Sequence, residues 1–310
     1  MTQRKVVITG ATGLIGSRLV EKLAEYGTAV TVLSRHPLAA TRQFPPTRFP
    51  LVTVAGYVPF DPATIAPALS GASAVVHLAG EPIAARWSTE VRNAIRNSRE
   101  LGTRALVTAI AGMSERPATL ISASACRYYG VSDSSRFTEA SPPGPAGDFL
   151  TDTTHRWEAE ALRAADHDIR VVTLRFGIVL AMTERGRATL KRLRAFLGGR
   201  VGSGRQWVSW IHREDAVAIL LRALNTPKMR GAYNATSPYP VRMSQVTDAF
   251  AHSSHSILRV PFPTRVIRQL LGDGATVILD GQRVYPERLL AEGFSFRFPQ
   301  IGPAVYDILS

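Results

Sequence analysis

The sequence is short of cysteine and of long apolar runs, and each shortage excludes a class of protein. Its one cysteine, Cys126, rules out an intrachain disulfide and fits a reducing compartment. No stretch approaches the ~20 consecutive apolar residues that a membrane span needs. Glu21 and Lys22 interrupt the apolar run near the amino terminus, which disfavours a signal peptide. These features predict a soluble, cytoplasmic protein with no membrane partner.

Acidic residues are also scarce relative to basic ones. The chain has 24 Asp and Glu against 37 Lys and Arg, a formal net charge of +13. This excess raises nucleic acid as a partner. However, the basic residues are spread along the chain, and the densest stretch, residues 185–200, matches no nucleic-acid motif. We therefore interpret the charge as a solvated basic surface and do not expect a nucleic-acid partner. No His, Cys or carboxylate cluster has metal-ligand spacing, so no metal is predicted.

The chain does contain a strand, a glycine turn and a helix start in immediate succession. The apolar run Lys5–Thr9 leads directly into three glycines spaced G-x-x-G-x-x-G. Such glycines allow a tight turn, admit a pyrophosphate to the backbone and let helix and strand pack closely. The helix start offers free N–H groups to phosphate. The pattern predicts a dinucleotide site rather than a bare strand–turn–helix. The candidate contacts are Gly10, Thr12, Gly13, Leu14, Ile15 and Gly16.

Strand and helix patterns alternate through the first half of the chain. This alternation predicts an α/β fold of the Rossmann type, a doubly wound parallel sheet covered on both faces. After about residue 180 a basic helix, a Gly-rich loop and short strands replace it. We therefore predict an NADP-binding domain over 1–180, whose core extends into later segments, and a smaller C-terminal substrate lobe over 181–310. Predicted strands are 5–9, 29–33, 49–53, 74–78, 118–123 and 169–176, and predicted helices are 14–26, 62–70, 88–112 and one from 148.

The end of the second predicted strand indicates which dinucleotide binds. In NAD-binding folds an acidic residue about 20 residues past the glycines accepts a hydrogen bond from the ribose 2′-hydroxyl. This chain has Ser34 and Arg35 there and no carboxylate. The Arg35 guanidinium suits a 2′-phosphate, and Ser34 adds a hydroxyl. The predicted cofactor is NADP(H), and an ordinary surface arginine is the alternative.

Small residues follow the fourth predicted strand. Leu78, Ala79 and Gly80 would let a cofactor approach the backbone at the sheet crevice. Glu81 comes next, where a substrate could reach it, so it is a candidate catalytic carboxylate or else a solvated loop residue. His77 lies inside the strand and is interpreted as a core histidine.

Further motifs extend along the chain, and together with the glycine loop they carry a family resemblance. They are Ser122-Ala123-Ser124-Ala125, Tyr128-Tyr129-Gly130, Asp148-Phe149-Leu150 with Trp157-Glu158, Gly202-Ser203-Gly204, Trp210-Ile211-His212 with Asp215, and Gly293-Phe294-Ser295-Phe296. The chain resembles the extended short-chain dehydrogenase/reductases of the NAD-dependent epimerase/dehydratase superfamily. Within them it is similar to an atypical epimerase-like family with its own C-terminal extension. The resemblance implies a Rossmann core binding NADP(H), with further cofactor contacts at Ser122, Phe176, Gly177 and Ile178.

The resemblance also shows what this chain lacks. In standard relatives a Ser or Thr after the fifth strand orients the substrate. A Tyr transfers a proton, and a Lys one helical turn later lowers the pKa of that Tyr. The corresponding helix, 148–165, has neither residue, and the best register places Thr154 and Glu158 at the two positions. The atypical family also lacks the pair. Ser124 remains as an orienting hydroxyl, with Glu158, Glu81 and Tyr129 as acid–base candidates. The alternatives are a surface salt bridge for Glu158, loop packing for Tyr129 and a turn cap for Ser124.

A glycine-rich basic loop over 198–206 completes the candidate site. The resemblance to sugar-nucleotide enzymes implies that this loop faces the substrate. Arg200 and Arg205 could then grip an anionic group, and Trp207 or Trp210 could stack on a ring, with Tyr129 as a further contact. A lid with structural arginines is the alternative. These observations predict an NADP(H)-dependent epimerase- or reductase-like protein acting on an anionic small molecule. The other hypothesis is a non-catalytic NADP(H)-binding redox sensor or partner-binding module. Substrate identity and oligomeric state stay open.

Overall fold

The computed structural model describes residues 4–182, 199–254 and 260–310. Residues 185–198 of the densest basic stretch, and with them the first residue of the predicted loop 198–206, lie outside the described residues. The strands are β1 (Lys5–Thr9), β2 (Ala29–Ser34), β3 (Val52–Gly56), β4 (Ala74–His77), β5 (Thr119–Ala125), β6 (Arg136–Phe137), β7 (Arg170–Phe176), β8 (Ile178–Leu180), β9 (Trp207–Val208), β10 (Trp210–His212), β11 (Gly231–Ala235), β12 (Val241–Arg242) and β13 (Arg283–Val284). The helices are α1 (Leu14–Glu25), α2 (Pro37–Gln43), α3 (Pro62–Leu69), α4 (Thr89–Ala111), α5 (Phe149–Leu162), α6 (Arg213–Asn225), α7 (Met243–Ser254), α8 (Thr264–Leu271), α9 (Thr276–Leu279), α10 (Glu287–Ala291) and α11 (Ile301–Leu309). Short 3₁₀ segments occupy Cys126–Tyr129, Arg163–His167 and Gly272–Ala275.

The centre of the molecule is a seven-stranded parallel sheet in the order β11-β7-β5-β4-β1-β2-β3. The predicted doubly wound α/β fold is therefore confirmed. Strand β1 lies between β2 and β4, so the chain order reverses there. Ligands of such sheets bind in the crevice outside the carboxyl ends of the strands at this reversal. The glycine turn begins at the carboxyl end of β1, directly at that crevice.

Successive side chains of the buried strands point to opposite faces of the sheet and pack in two hydrophobic cores, one on each face. In β1, Val6 and Ile8 join the larger core, whereas Val7 joins the core on the other face. A strand covered on both sides is apolar at most of its positions, as is usual in a parallel sheet. Complete burial of one such side chain contributes about 1.5–3 kcal/mol. This packing fixes the sheet that carries the site.

Segments beyond residue 180 contribute to the central sheet as well as to the outer region. Strand β11 pairs with β7 at the edge of the sheet, and Ile219 and Leu220 of α6 pack in the larger core with Leu19 of α1. The remaining short strands form separate pairs, β8 with β10, β9 with β12 and β6 with β13. Among the described residues, no helix combines the length and the apolar character needed to cross a membrane.

Candidate functional site

The glycine turn after β1 is pressed against the loop that follows β4. Gly10 has a φ of +69°, and a Cβ atom on it would lie 2.6 Å from the Leu78 carbonyl carbon. A Cβ on Gly16 would collide with the Gly10 carbonyl oxygen. Gly13 precedes α1, where no side chain caps the helix and no acidic residue occupies the first turn. The free N–H groups there fit the diphosphate of a dinucleotide.

The adenosine end of this crevice lies beyond the carboxyl ends of β2 and β4. A cavity of about 50 Å³ is walled partly by Leu33, Tyr57 and Ile65, which suits an apolar ring. At its rim, Nη1 of Arg35 lies 2.5 Å from Oε1 of Glu81. The Arg35 guanidinium, which was predicted to bind a 2′-phosphate, is thus paired with a carboxylate.

This pairing corrects the role expected for Glu81. The structure places Glu81 in the wall of the adenosine-end cavity, whereas Ser124 lines a different cavity. The Ser34 hydroxyl accepts a hydrogen bond from the His36 N–H over 3.1 Å, and the cofactor contact predicted for it stays a prediction. Glu81 therefore lies away from Ser124, and this position does not suit the catalytic role predicted for it.

The loop after β4 is held by buried hydrogen bonds. The Ala79 N–H donates to Thr9 Oγ1 over 3.3 Å, and the Thr9 hydroxyl is 2.7 Å from Nδ1 of His77. Nε2 of His77 is 2.9 Å from Thr103 Oγ1. Burial lowers the pKa of His77 to about 4, so the ring is neutral near pH 7. His77 is thus a core histidine that fixes the loop.

A larger cavity of about 390 Å³ opens at the carboxyl ends of β5 and β7, where the nicotinamide end of a cofactor is expected. Phe176, Gly177 and Ile178, which were predicted to contact the cofactor, line this cavity. The Ser122 hydroxyl is fully buried instead and donates to the Ala123 carbonyl over 3.1 Å. The other lining residues are Ile83, Arg99, Ala123, Ser124, Ala125, Cys126, Arg127, Leu150, Thr153, Thr154, Trp157, Val179, Trp207, Val208, Ser209, Val277, Asp280, Gly281 and Gln282.

Behind this cavity, Ser124 and Glu158 meet in a buried ion-pair network. The Ser124 hydroxyl donates to Glu158 Oε1 over 2.5 Å. Nε and Nη2 of Arg175 bind the two Glu158 oxygens at 2.8 Å each. Burial opposes the charge on Arg175, but Glu158 outweighs it and raises the pKa of Arg175. Glu158 is thus committed to a guanidinium and does not line the cavity, which corrects its assignment as a general acid or base.

The network continues to Tyr129, away from the cavity. Nη1 of Arg175 donates to the Tyr129 oxygen over 2.8 Å, and the Tyr129 hydroxyl donates to Asn234 Oδ1 over 2.7 Å. Only 2% of Tyr129 is exposed, and burial raises its pKa. Tyr129 is therefore a buried structural residue and is not placed to contact a substrate in this cavity, which corrects the role predicted for it.

The hydroxyl that replaces the usual tyrosine is also engaged. Thr154 lines the cavity, but its Oγ1 donates to the Leu150 carbonyl of the preceding turn over 2.7 Å. Thr153 donates in the same way to the Phe149 carbonyl over 2.6 Å. Threonines commonly make this bond inside helices. The proton donors at the usual catalytic positions are therefore occupied.

Comparison with known proteins agrees with the fold. The model of the NAD dependent epimerase/dehydratase family matches residues 6–236, and that of a domain of unknown function (DUF1731) matches residues 262–308. The chain belongs to the NAD-dependent epimerase/dehydratase family. An Arabidopsis thaliana protein named as a chloroplastic epimerase family protein SDR39U1 homolog is 37% identical over 99% of this chain and 87% of its own length.

Solved structures of epimerase-family proteins share the fold. The human epimerase family protein SDR39U1 (isoform 2), solved with NADPH, has a TM-score of 0.85 and 30% identity over 98% of this chain and 99% of its own. The Bordetella bronchiseptica enzyme WbmH, solved with NAD⁺, has a TM-score of 0.73 and 18% identity over 98% of this chain and 96% of its own. The family and its nicotinamide cofactor are thus supported.

In this member of the epimerase family, the predicted basic loop does not line the cavity beside Ser124. Arg200 and Arg205 are both exposed and absent from its wall. Trp210 is fully buried, and its indole N–H donates to the Tyr239 carbonyl over 3.1 Å. Trp207 lines the cavity, as Trp157 does, so of the two tryptophans predicted to stack on a ring it is Trp207 that can meet a ligand.

Sequence reasoning missed three arginines of this epimerase-family site. Arg99 and Arg127 line the cavity, and Arg175 binds Glu158. Arg175 carried a detectable signal, because a charged residue in the run Val171 to Phe176, whose one other polar residue is Thr173, demands a buried partner. Arg99 carried none, since α4 also contains Arg92, Arg96 and Arg104.

Proposed function

We propose that this chain is an NADP(H)-dependent enzyme of the epimerase or reductase kind, acting on an anionic small molecule in the cavity beside Ser124. The observation that best supports this proposal is the cavity of about 390 Å³ at the carboxyl ends of β5 and β7. Its size falls in the range of about 300–1,000 Å³ that is usual for small-molecule sites. When bound, the nicotinamide would supply or accept the hydride.

The chain's own residues would position both partners. The glycine turn and the start of α1 would hold the diphosphate, because Gly10 and Gly16 leave no room for side chains of their own. Arg35 would bind the 2′-phosphate after releasing or sharing Glu81. Ser124 would accept a hydrogen bond from the substrate, because its own proton is held by Glu158. Apolar residues such as Leu150, Phe176 and Val208 would exclude water.

A second function is favoured by one specific observation. Ser124 and Thr154, the residues nearest the usual catalytic roles, both give their protons to groups of the protein itself. A protein with this arrangement could bind NADP(H) tightly and turn over nothing. A non-catalytic redox sensor or partner-binding module is therefore the second candidate.

Cofactor binding and turnover separate these functions from each other. Calorimetry with NADPH and NADH should show tighter binding of NADPH. Arg35→Gln should weaken NADPH binding about tenfold or more and leave NADH binding unchanged, because only NADPH carries the 2′-phosphate. Arg42→Gln, at an exposed arginine of α2, is the matched control. Equal NADPH and NADH affinities would refute the NADP preference.

NADPH consumption with a panel of carbonyl compounds and sugar nucleotides would support the enzyme, and tight binding without consumption would support the sensor.

A further inference from the structure

Helix α8 and the loop before it present apolar side chains to solvent. Val260, Phe262, Val266 and Leu270 are between 40% and 64% exposed. Val266 and Leu270 are about one helical turn apart and therefore share a face of α8. Within α8 only Ile267 is buried. A single exposed apolar residue is ordinary, whereas several in one short stretch mark a surface that binds something.

Exposed arginines surround these apolar residues. Arg265 and Arg268 are exposed on α8 itself. Arg200 is exposed and lies beside Phe262, whose N–H donates to the Arg200 carbonyl over 2.8 Å. Arg86 is exposed next to the glycine that ends α8, with its Cγ 3.7 Å from the place of a Cβ on that glycine. Among the described residues, no carboxylate forms an ion pair with any of these four arginines.

Acidic residues are missing from the sequence that forms this surface. No Asp or Glu occurs between Asp248 and Asp273. The carboxylate of Asp273, just after α8, is already paired with Arg92. The four apolar residues and the four arginines together are called the basic apolar surface below. Its positive charge is uncompensated, so it favours a partner with negative charge.

We propose that the basic apolar surface binds an anionic lipid membrane. Interfacial helices place apolar side chains at the boundary of headgroups and acyl chains, while their arginines reach the anionic headgroups. Each Lys or Arg near such a surface strengthens binding about fivefold. Membrane binding of this kind is independent of the proposed function. It needs no spanning segment, so the lack of a long apolar run, on which the expectation of no membrane partner rests, does not exclude it.

Two other occupants fit the basic apolar surface less well. A second copy of this chain would bring the same arginines face to face, because a two-fold interface uses one surface on both copies. A stable protein partner would contact about 20–30 residues, many more than this surface offers. A membrane has no fixed shape to match, so a small surface is enough when charge and apolar insertion act together.

Co-sedimentation with lipid vesicles tests the charge of this surface. We expect the chain to bind vesicles of equal parts phosphatidylserine and phosphatidylcholine about tenfold or more tightly than vesicles of phosphatidylcholine alone. Arg265→Gln combined with Arg268→Gln should weaken this binding about tenfold or more. Arg42→Gln combined with Arg48→Gln changes the net charge equally at exposed arginines elsewhere, and this control should bind within about twofold of wild type. Raising the salt from about 0.1 M to about 1 M should release the protein, because the Debye length falls from ~10 Å to ~3 Å.

Leu270→Gln tests the apolar part of the surface. We expect it to weaken vesicle binding about fivefold or more, whereas Leu290→Gln, at an exposed leucine of α10, should leave binding unchanged. Urea denaturation should give both variants the free energy of unfolding of wild type, because both side chains are exposed in the folded chain.

Four results would overturn the proposal. The first is equal binding of wild type to both kinds of vesicle, and the second is an equal loss of binding in the matched controls. The third is a loss of stability confined to Leu270→Gln, which would show that another part of the chain covers the surface. The fourth is binding of polyglutamate without binding of vesicles, which would assign the surface to an acidic protein.

Discussion

The hydroxyl of Ser124 donates to Oε1 of Glu158 across 2.5 Å, while Arg175 grips both oxygens of the same carboxylate. A serine hydroxyl has one proton to give and two lone pairs to offer. Because the proton is committed, Ser124 presents acceptor character to the cavity. A ligand group bound there must donate, as an alcohol O–H or an amide N–H does. The hydrogen-bonding polarity that Ser124 offers to the cavity is thus opposite to that of a hydroxyl that donates to a substrate carbonyl.

We expect the stability of the fold to depend on the buried ion pair between Glu158 and Arg175. Both side chains are about 5% exposed. Glu158→Gln would leave the Arg175 charge buried without a counter-ion, so we expect the free energy of unfolding to fall by about 3–5 kcal/mol. Urea denaturation would measure this loss.

The same helix offers a matched control for that substitution. Glu160 pairs with the largely exposed Arg104 and Arg163. The Glu160 side chain is only 12% exposed, but both of its arginine partners reach water, so Glu160→Gln leaves no buried charge unpaired and should cost about 1 kcal/mol or less. Equal, small losses for both variants would show that the buried pair has no special structural role.

Ser124→Ala should separate stability from chemistry. Arg175 still binds both Glu158 oxygens in this variant, so we expect a loss of only about 1 kcal/mol in the free energy of unfolding. Turnover of NADPH should fall about tenfold or more, because the substrate loses its acceptor. Thr119→Val, at the far end of the same strand, is the control. Unchanged turnover in Ser124→Ala would remove Ser124 from the catalytic site.

Most of the fold could be predicted from sequence because buried parallel strands leave a clear apolar signal. The predicted strand 5–9 and helix 88–112 are observed at Lys5–Thr9 and Thr89–Ala111. The strand predicted at 49–53 is observed at Val52–Gly56, because the Phe49 N–H bonds to the Pro45 carbonyl in a turn and delays the strand. Local hydrogen bonding of this kind leaves little trace in hydrophobic periodicity.

The site was harder to predict, because the role of each residue depends on a hydrogen-bonding partner that lies far away in the sequence. Glu158 occupies the expected register, but its role depends on Arg175, which is bonded to it across two layers of the fold. Glu81 and Arg35 are 46 residues apart and are joined only because β2 and β4 flank β1. A sequence motif identifies the side chains that can react or bind, but the topology of the sheet determines which of them come into contact.

The pairing of Arg35 with Glu81 should weaken binding of a 2′-phosphate. Glu81→Gln would free the guanidinium and remove a like charge from the phosphate, so we expect NADPH affinity to rise about three- to tenfold. NADH has no 2′-phosphate, so its affinity should stay the same or fall. Glu115→Gln makes the same charge change at an exposed loop residue and serves as the control. Calorimetry in which Glu81→Gln weakened NADPH binding would instead show that Glu81 supports the cofactor.

His77 should make stability depend on pH between its folded and unfolded pKa values. Burial lowers its pKa from 6.5 to about 4. In this window the unfolded chain binds the proton and the folded chain does not, so the free energy of unfolding falls as the pH drops. Between pH 7.5 and 5 the expected loss from this residue is about 2 kcal/mol. His77→Asn should lose this component, measured by urea denaturation at both pH values, whereas exposed His36→Asn should keep it. His212, whose pKa is also lowered by burial, contributes equally to all three proteins and cancels. A pH dependence identical in wild type and His77→Asn would mean that folding does not shift the pKa of His77.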